Sequence, residues 1–85
     1  MGKEGAFCHF ALHTLAFQSG NLKNAFLEIQ KAEDSEDLKD DPLLQFQIIL
    51  NRGVCYAAEG NYHLADEYYN KAIAFYNTQI GRAHV

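Results

Sequence analysis

The chain has one proline and two cysteines, and its seven lysines and arginines are scattered singly along 85 residues. Without a basic stripe, and with a formal net charge of −4, it has little to neutralise phosphates or anionic headgroups, so neither nucleic acid nor a membrane surface is the expected partner. No apolar run approaches the roughly 20 residues a bilayer span needs, because Gln, Asn, Glu or Lys interrupts every stretch. Met1-Gly2-Lys3-Glu4 lacks the pattern of a secretory signal, and Phe7 stands where a myristoylation motif wants Ser or Thr. A cytoplasmic address is therefore expected. Cys8 and Cys55 lie far apart inside apolar helical patterns, as small core residues do, and not as disulfide halves or nucleophiles. With proline single and glycine sparse, the composition is that of an ordered globular protein. Its core must be small, since a chain of this length hides only roughly 60 to 65% of its unfolded surface.

What is present is helical periodicity. Between Glu4 and Ser19, Phe7, Phe10, Ala11, Leu12, Leu15 and Ala16 recur at helical spacing, and Ser19-Gly20-Asn21 breaks the pattern. Leu22, Ala25, Phe26, Ile29 and Ala32 then predict a second amphipathic helix. So short a link requires the two helices to run antiparallel as a hairpin. The carboxylate-rich segment 33–41, with Leu38 its only large apolar residue, reads as a frayed helix end and an exposed acidic linker. Asp41-Pro42 suits a helix start, Asp41 as cap and Pro42 in the first turn, for a third helix running to Glu59. Gly60-Asn61 stops it. A fourth helix carries Tyr62, Leu64, Ala65, Tyr68, Tyr69, Ala72, Ile73 and Phe75, apolar on enough of its girth to be packed on more than one side. The expected fold is all-α: two tandem antiparallel helical hairpins, 4–32 and 42–78, with 33–41 between them. The residues from Ile80 to Val85 look like a translated sequencing adapter, so 79–85 is expected to be a non-native tail.

The two hairpins repeat. Gly20-Asn21-Leu22 followed by Ala25, Ile29, Lys31 and Ala32 corresponds, forty residues on, to Gly60-Asn61-Tyr62 followed by Ala65, Tyr69, Lys71 and Ala72. The second hairpin resembles the tetratricopeptide repeat in Gly53, Tyr56, Gly60, Asn61, Tyr62, Ala65, Tyr69 and Ala72. It departs from that pattern at Arg52, where Leu is usual, and at Ile49, where Trp is common. The first hairpin fits at Leu12, Gly20, Leu22, Ala25, Ile29 and Ala32, but has His13 where a small residue is expected and Ala16 in place of the usual Tyr. Tetratricopeptide units are typically about 34 residues long, and the surplus of about six is assigned to the linker and a lengthened third helix. Gly53 and Ala65 are expected to be small where helices cross, with Tyr56, Tyr62 and Tyr69 filling the space around the crossing.

The resemblance implies a fragment of a right-handed superhelix in which the first helix of each hairpin lines a groove for a peptide or partner helix. The groove positions are Phe10, Thr14, Phe17 and Gln18 on the first helix and Gln47, Leu50, Asn51, Val54 and Ala58 on the third, with Phe7, Ala11 and Ala57 beside them. Asn51, Gln18 and Gln47 would set register by hydrogen bonding. Of the carboxylate clamp that some family members build from Lys, Asn and Arg, only Asn51 is matched. The competing expectation is that Phe7, Phe10 and Phe17 pack against a neighbouring repeat. A protein or peptide partner is expected and no cofactor. The alternative is a peptide-sensing domain within a larger regulator. Because tandem repeats generally need about three units for comfortable stability, self-association through exposed ends is a further expectation.

Nothing in the sequence asks for catalysis or a metal. His9 and His13 are one turn apart, but no Glu lies between them as the metalloprotease motif requires, and Cys8 is rotated from the pair by about 100°. The histidines read as structural or surface residues. His63, beside Asp66 and Glu67, reads as an exposed residue forming local pairs. The acidic run 33–41 lacks the central Gly and ligand order of a calcium loop.

Overall fold

The two glycine bends decide the architecture. In a computed structural model of the chain, which describes residues 5–81, α1 (Ala6–Gln18) ends at Gly20 and α3 (Pro42–Glu59) ends at Gly60. Both glycines have positive φ, 81° and 91°, a conformation that costs a side-chain-bearing residue energy. At each bend the glycine N–H donates to the third residue back, Phe17 or Ala57, and the following asparagine N–H donates to the fifth, Ala16 or Tyr56. This double bond pattern satisfies carbonyls that the helix end leaves orphaned. The same asparagines then cap the next helices: Asn21 Oδ1 accepts from Asn24 N at 3.1 Å to start α2 (Leu22–Glu33), and Asn61 Oδ1 accepts from Leu64 N at 3.3 Å to start α4 (Tyr62–Phe75). One residue closes a helix and opens another, so each pair folds back tightly.

The described residues are thus all-α, four helices packed as two hairpin pairs, α1 with α2 and α3 with α4. Helix α3 joins the pairs by lying against α2 and touching α1. The core is built from small and branched side chains: Ile29 and Ala32 of α2 meet Ile48 and Leu44 of α3, with Ala6 beneath and Phe10 and Leu38 packed around them. Burying each of the large aliphatic side chains contributes about 1.5–3 kcal/mol. Ala25, Ala65 and Ala72 are buried as well, which keeps paired helices close. No described helix is long and apolar enough to cross a membrane.

Segment 33–41 is mostly exposed, but it is anchored to the core, which its sequence did not suggest. Its centre is a 3-10 turn, Glu36–Asp40, and it is anchored at both ends. Asp37 Oδ1 accepts the backbone N–H of Ala6 at 3.1 Å, supplying a partner for the start of α1, where Gly5 has no side chain to cap with. Leu38 reaches the core, and its carbonyl accepts from Gln45 Nε2 at 2.7 Å. The carboxylates stay solvated while one apolar residue docks. Asp41 and Pro42 open α3 as expected, Asp41 Oδ1 accepting from Leu44 N at 3.1 Å.

A second turn mirrors the first. After α4 a π turn spans Tyr76–Ile80, forty residues beyond the 3-10 turn, and the Tyr76 ring lies against Phe46 of α3 at 5.5 Å. Each hairpin is thus followed by a short turn at the same repeat position. Gln79 and Ile80 complete that turn; Glu4 and the rest of the expected tail, Arg82 to Val85, lie outside the described residues.

Candidate functional site

The groove positions sit on α1 and α3, the first helices of the two hairpins, which touch directly: His13 Nδ1 and Cys55 Sγ are 4.0 Å apart. Phe10, Thr14, Phe17, Leu50, Asn51 and Val54 are half-buried, while Gln18, Gln47 and Ala58 are exposed. Phe10 serves the core, where its ring stacks on His13 at a centroid distance of 5.6 Å, and the Phe17 ring is tilted against the same imidazole at 6.4 Å. The neighbouring Phe7 is 70% exposed. Two polar groove residues turn back on their own helices, Thr14 Oγ1 donating to the Phe10 carbonyl at 3.1 Å and Asn51 Nδ2 to the Gln47 carbonyl at 2.8 Å. Such bonds hold a side chain in one orientation at the helix surface.

The repeat-signature residues fall in different places. Ala25, Ala32, Gly53, Ala65 and Ala72 are buried, and Gly20 and Gly60 form the bends. Tyr69 covers Gly53. Tyr56 bridges the hairpins, tilted against Phe26 of α2 at 5.0 Å and stacked on Tyr68 of α4 at 5.5 Å. Tyr62 does not fill a crossing: it is 69% exposed at the first position of α4, where helix geometry puts it outside the seam. Cys8 is likewise exposed, whereas Cys55 is buried. Nor is α4 packed on several sides, for Ile73 is 58% exposed.

Burial pushes the Cys55 thiol up from 9.0 to about 11, with Glu59 adding to the rise and Arg52 opposing it. It stays a neutral thiol and not a nucleophile at neutral pH. His13 is buried with Nδ1–H donating to the Ala25 carbonyl at 2.9 Å, so its polarity is answered inside the hairpin. His9 Nδ1 lies 2.8 Å from Glu28 Oε1, and His63 Nε2 lies 3.1 Å from Glu67 Oε2 at the surface. Among the described residues no group of three or more His, Cys, Asp or Glu stands close enough to hold a metal ion. A shallow, mixed-charge cavity of about 640 Å³ opens between the start of α1 and the 3-10 turn, lined by Gly5, His9, Lys31, Asp34, Ser35, Glu36 and Asp37.

Sequence reasoning missed the charged seam between the hairpins. Arg52 is buried on α3, its NH2 group donating to Glu33 Oε1 at 2.8 Å and to Gln30 Oε1 at 3.0 Å on α2, with its guanidinium 5.9 Å from the Tyr68 ring centroid. Its signal was an arginine on an otherwise apolar stripe. The Asp37 cap had no local signal, because its partner lies 31 residues earlier.

The fold defines a class: a small all-α unit of two helical hairpins. No protein-family model, curated protein or solved structure matches the chain.

Proposed function

We propose that the chain is a tetratricopeptide-like interaction module, two units of a right-handed superhelix, that holds a peptide or partner helix along a groove lined by α1 and α3. The observation that carries this reading is positional. The first helices touch, and the same positions on each, Phe10 and Leu50, Thr14 and Val54, Gln18 and Ala58, are left half-buried or exposed although the core beneath them is packed. Apolar side chains there supply affinity to a partner, and the amides of Gln18, Gln47 and Asn51 supply direction. Asn51 donates to its own helix and so offers its Oδ1 as an acceptor, the group an extended or helical backbone N–H requires. The net charge of −4 favours a neutral or basic peptide over an acidic tail. The reading needs no cofactor, membrane or nucleic acid, and suits a cytoplasmic protein.

Selection of a random displayed-peptide library on the intact chain tests it. Enriched peptides should bind the parent and lose at least tenfold affinity for the variant carrying Phe17→Ala and Asn51→Ala, whose circular dichroism should match the parent's. Absence of enrichment, or binding indifferent to that pair, would sink the groove.

A further inference from the structure

We propose that the chain associates head to tail with a second copy of itself, α1 of one copy seating on α4 of the next in the way α3 seats on α2 within the chain. The inference rests on the forty-residue repeat and its internal seam, and is independent of the groove.

Inside the chain the seam is made by Ile48, Arg52 and Cys55 of α3, which are 1%, 7% and 0% exposed. Their counterparts forty residues earlier are Cys8, Leu12 and Leu15 of α1, and all three are exposed, Leu12 by 38% and Leu15 by 62%. The face that α3 buries is thus the face that α1 leaves open. On the other half of the seam Gln30 and Glu33 of α2, themselves exposed, receive Arg52, and their counterparts on α4 are Asn70, exposed, and Ile73, 58% exposed.

The chemistry of the two open faces agrees. Within the chain the central pair is ionic, Arg52 with Glu33 at 2.8 Å; at the open ends both positions are apolar, Leu12 and Ile73. An arginine at position 12 would bring a cation against the aliphatic Ile73 side chain in a repeated docking, and Leu12 does not. Two apolar side chains let the same geometry recur between copies as an apolar contact. The occupant is therefore another copy of this chain, whose two ends carry the two halves of the pair. Such a contact is heterologous and does not close on itself in a dimer, so association continues as concentration rises.

Sedimentation velocity on the full chain, from micromolar to millimolar concentration, tests this with three samples. The parent's weight-average mass should climb past that of two chains without a plateau at the dimer. Leu12→Asp and Ile73→Asp should each stay monomeric with unchanged helicity, since both sites are exposed. Mixed in equal amounts, the two variants should form a complex of two chains and no larger species, because one contributes an intact α4 face and the other an intact α1 face. A monomeric parent, which would leave these faces to some other occupant, overturns the proposal. So does a parent that stops at a dimer, or a variant mixture that remains monomeric.

Discussion

Gly53 lies so close beneath Tyr69 that a Cβ on it would come within 2.8 Å of the ring's Cε1 and 3.3 Å of the Ala65 carbonyl oxygen. Forty residues earlier the sizes are exchanged. His13 occupies the place of Gly53 and Ile29 the place of Tyr69, and the imidazole uses the room to donate to the Ala25 carbonyl, the counterpart of Ala65. Large on small in one hairpin and small on large in the other keep both helix pairs close with a filled interior.

Gly53→Ala should therefore overpack the second hairpin and cost about 1–3 kcal/mol in urea unfolding. Tyr69→Ile, which installs the residue found at position 29, should cost less in the alanine background than alone. A double-mutant cycle that comes out additive would show that the two positions do not share this space.

The Arg52 seam makes a second prediction. Its guanidinium is buried, Nε has no hydrogen-bond partner, and its ion-pair partner Glu33 is partly solvated. Glu33→Ala leaves the cation with Gln30 and the Tyr68 face and should lower stability by about 1–2 kcal/mol, discounted for the exposure of Glu33. Arg52→Leu removes the buried charge altogether and should be neutral or raise Tm. Thermal unfolding of the two variants should move in these opposite or unequal directions, and a large loss in Arg52→Leu would mean that the ion pair itself holds the hairpins together.

The two thiols should separate by reactivity and by pH. Iodoacetamide at pH 8 should label exposed Cys8 in the folded chain and reach Cys55 only on unfolding. Because the folded Cys55 pKa is raised from 9.0 to about 11, the unfolded chain gives up that proton first. The corresponding stability is whole below pH 9 and is lost as pH rises towards 11, with a slope on the order of 1 kcal/mol per pH unit. Cys55→Ala should flatten the curve in that window, and an unchanged slope would contradict the burial effect.

Helix order, both bends and the start of α3 were legible because they rest on local chemistry: glycine where φ must be positive, asparagine or aspartate where a helix needs a cap, apolar spacing in between. What could not be read was decided at a distance. Asp37 looks solvated until the N-terminus of α1 arrives, and Leu38 looks isolated until α3 covers it. For the proposed groove the sequence offered surface positions but not what supports them, since Thr14 and Asn51 spend donors on their own helices and His13 packs with the Phe10 and Phe17 rings. Tyr62 and Cys8 were misplaced because periodicity marks an apolar residue without saying whether anything comes to cover it.

The bends also govern how quickly the chain can find its shape. When one asparagine ends a helix and begins its neighbour, the partners in each pair are close in sequence and little loop entropy is lost in bringing them together. Each hairpin is therefore expected to form before α3 docks on α2, because its contacts are the more local ones.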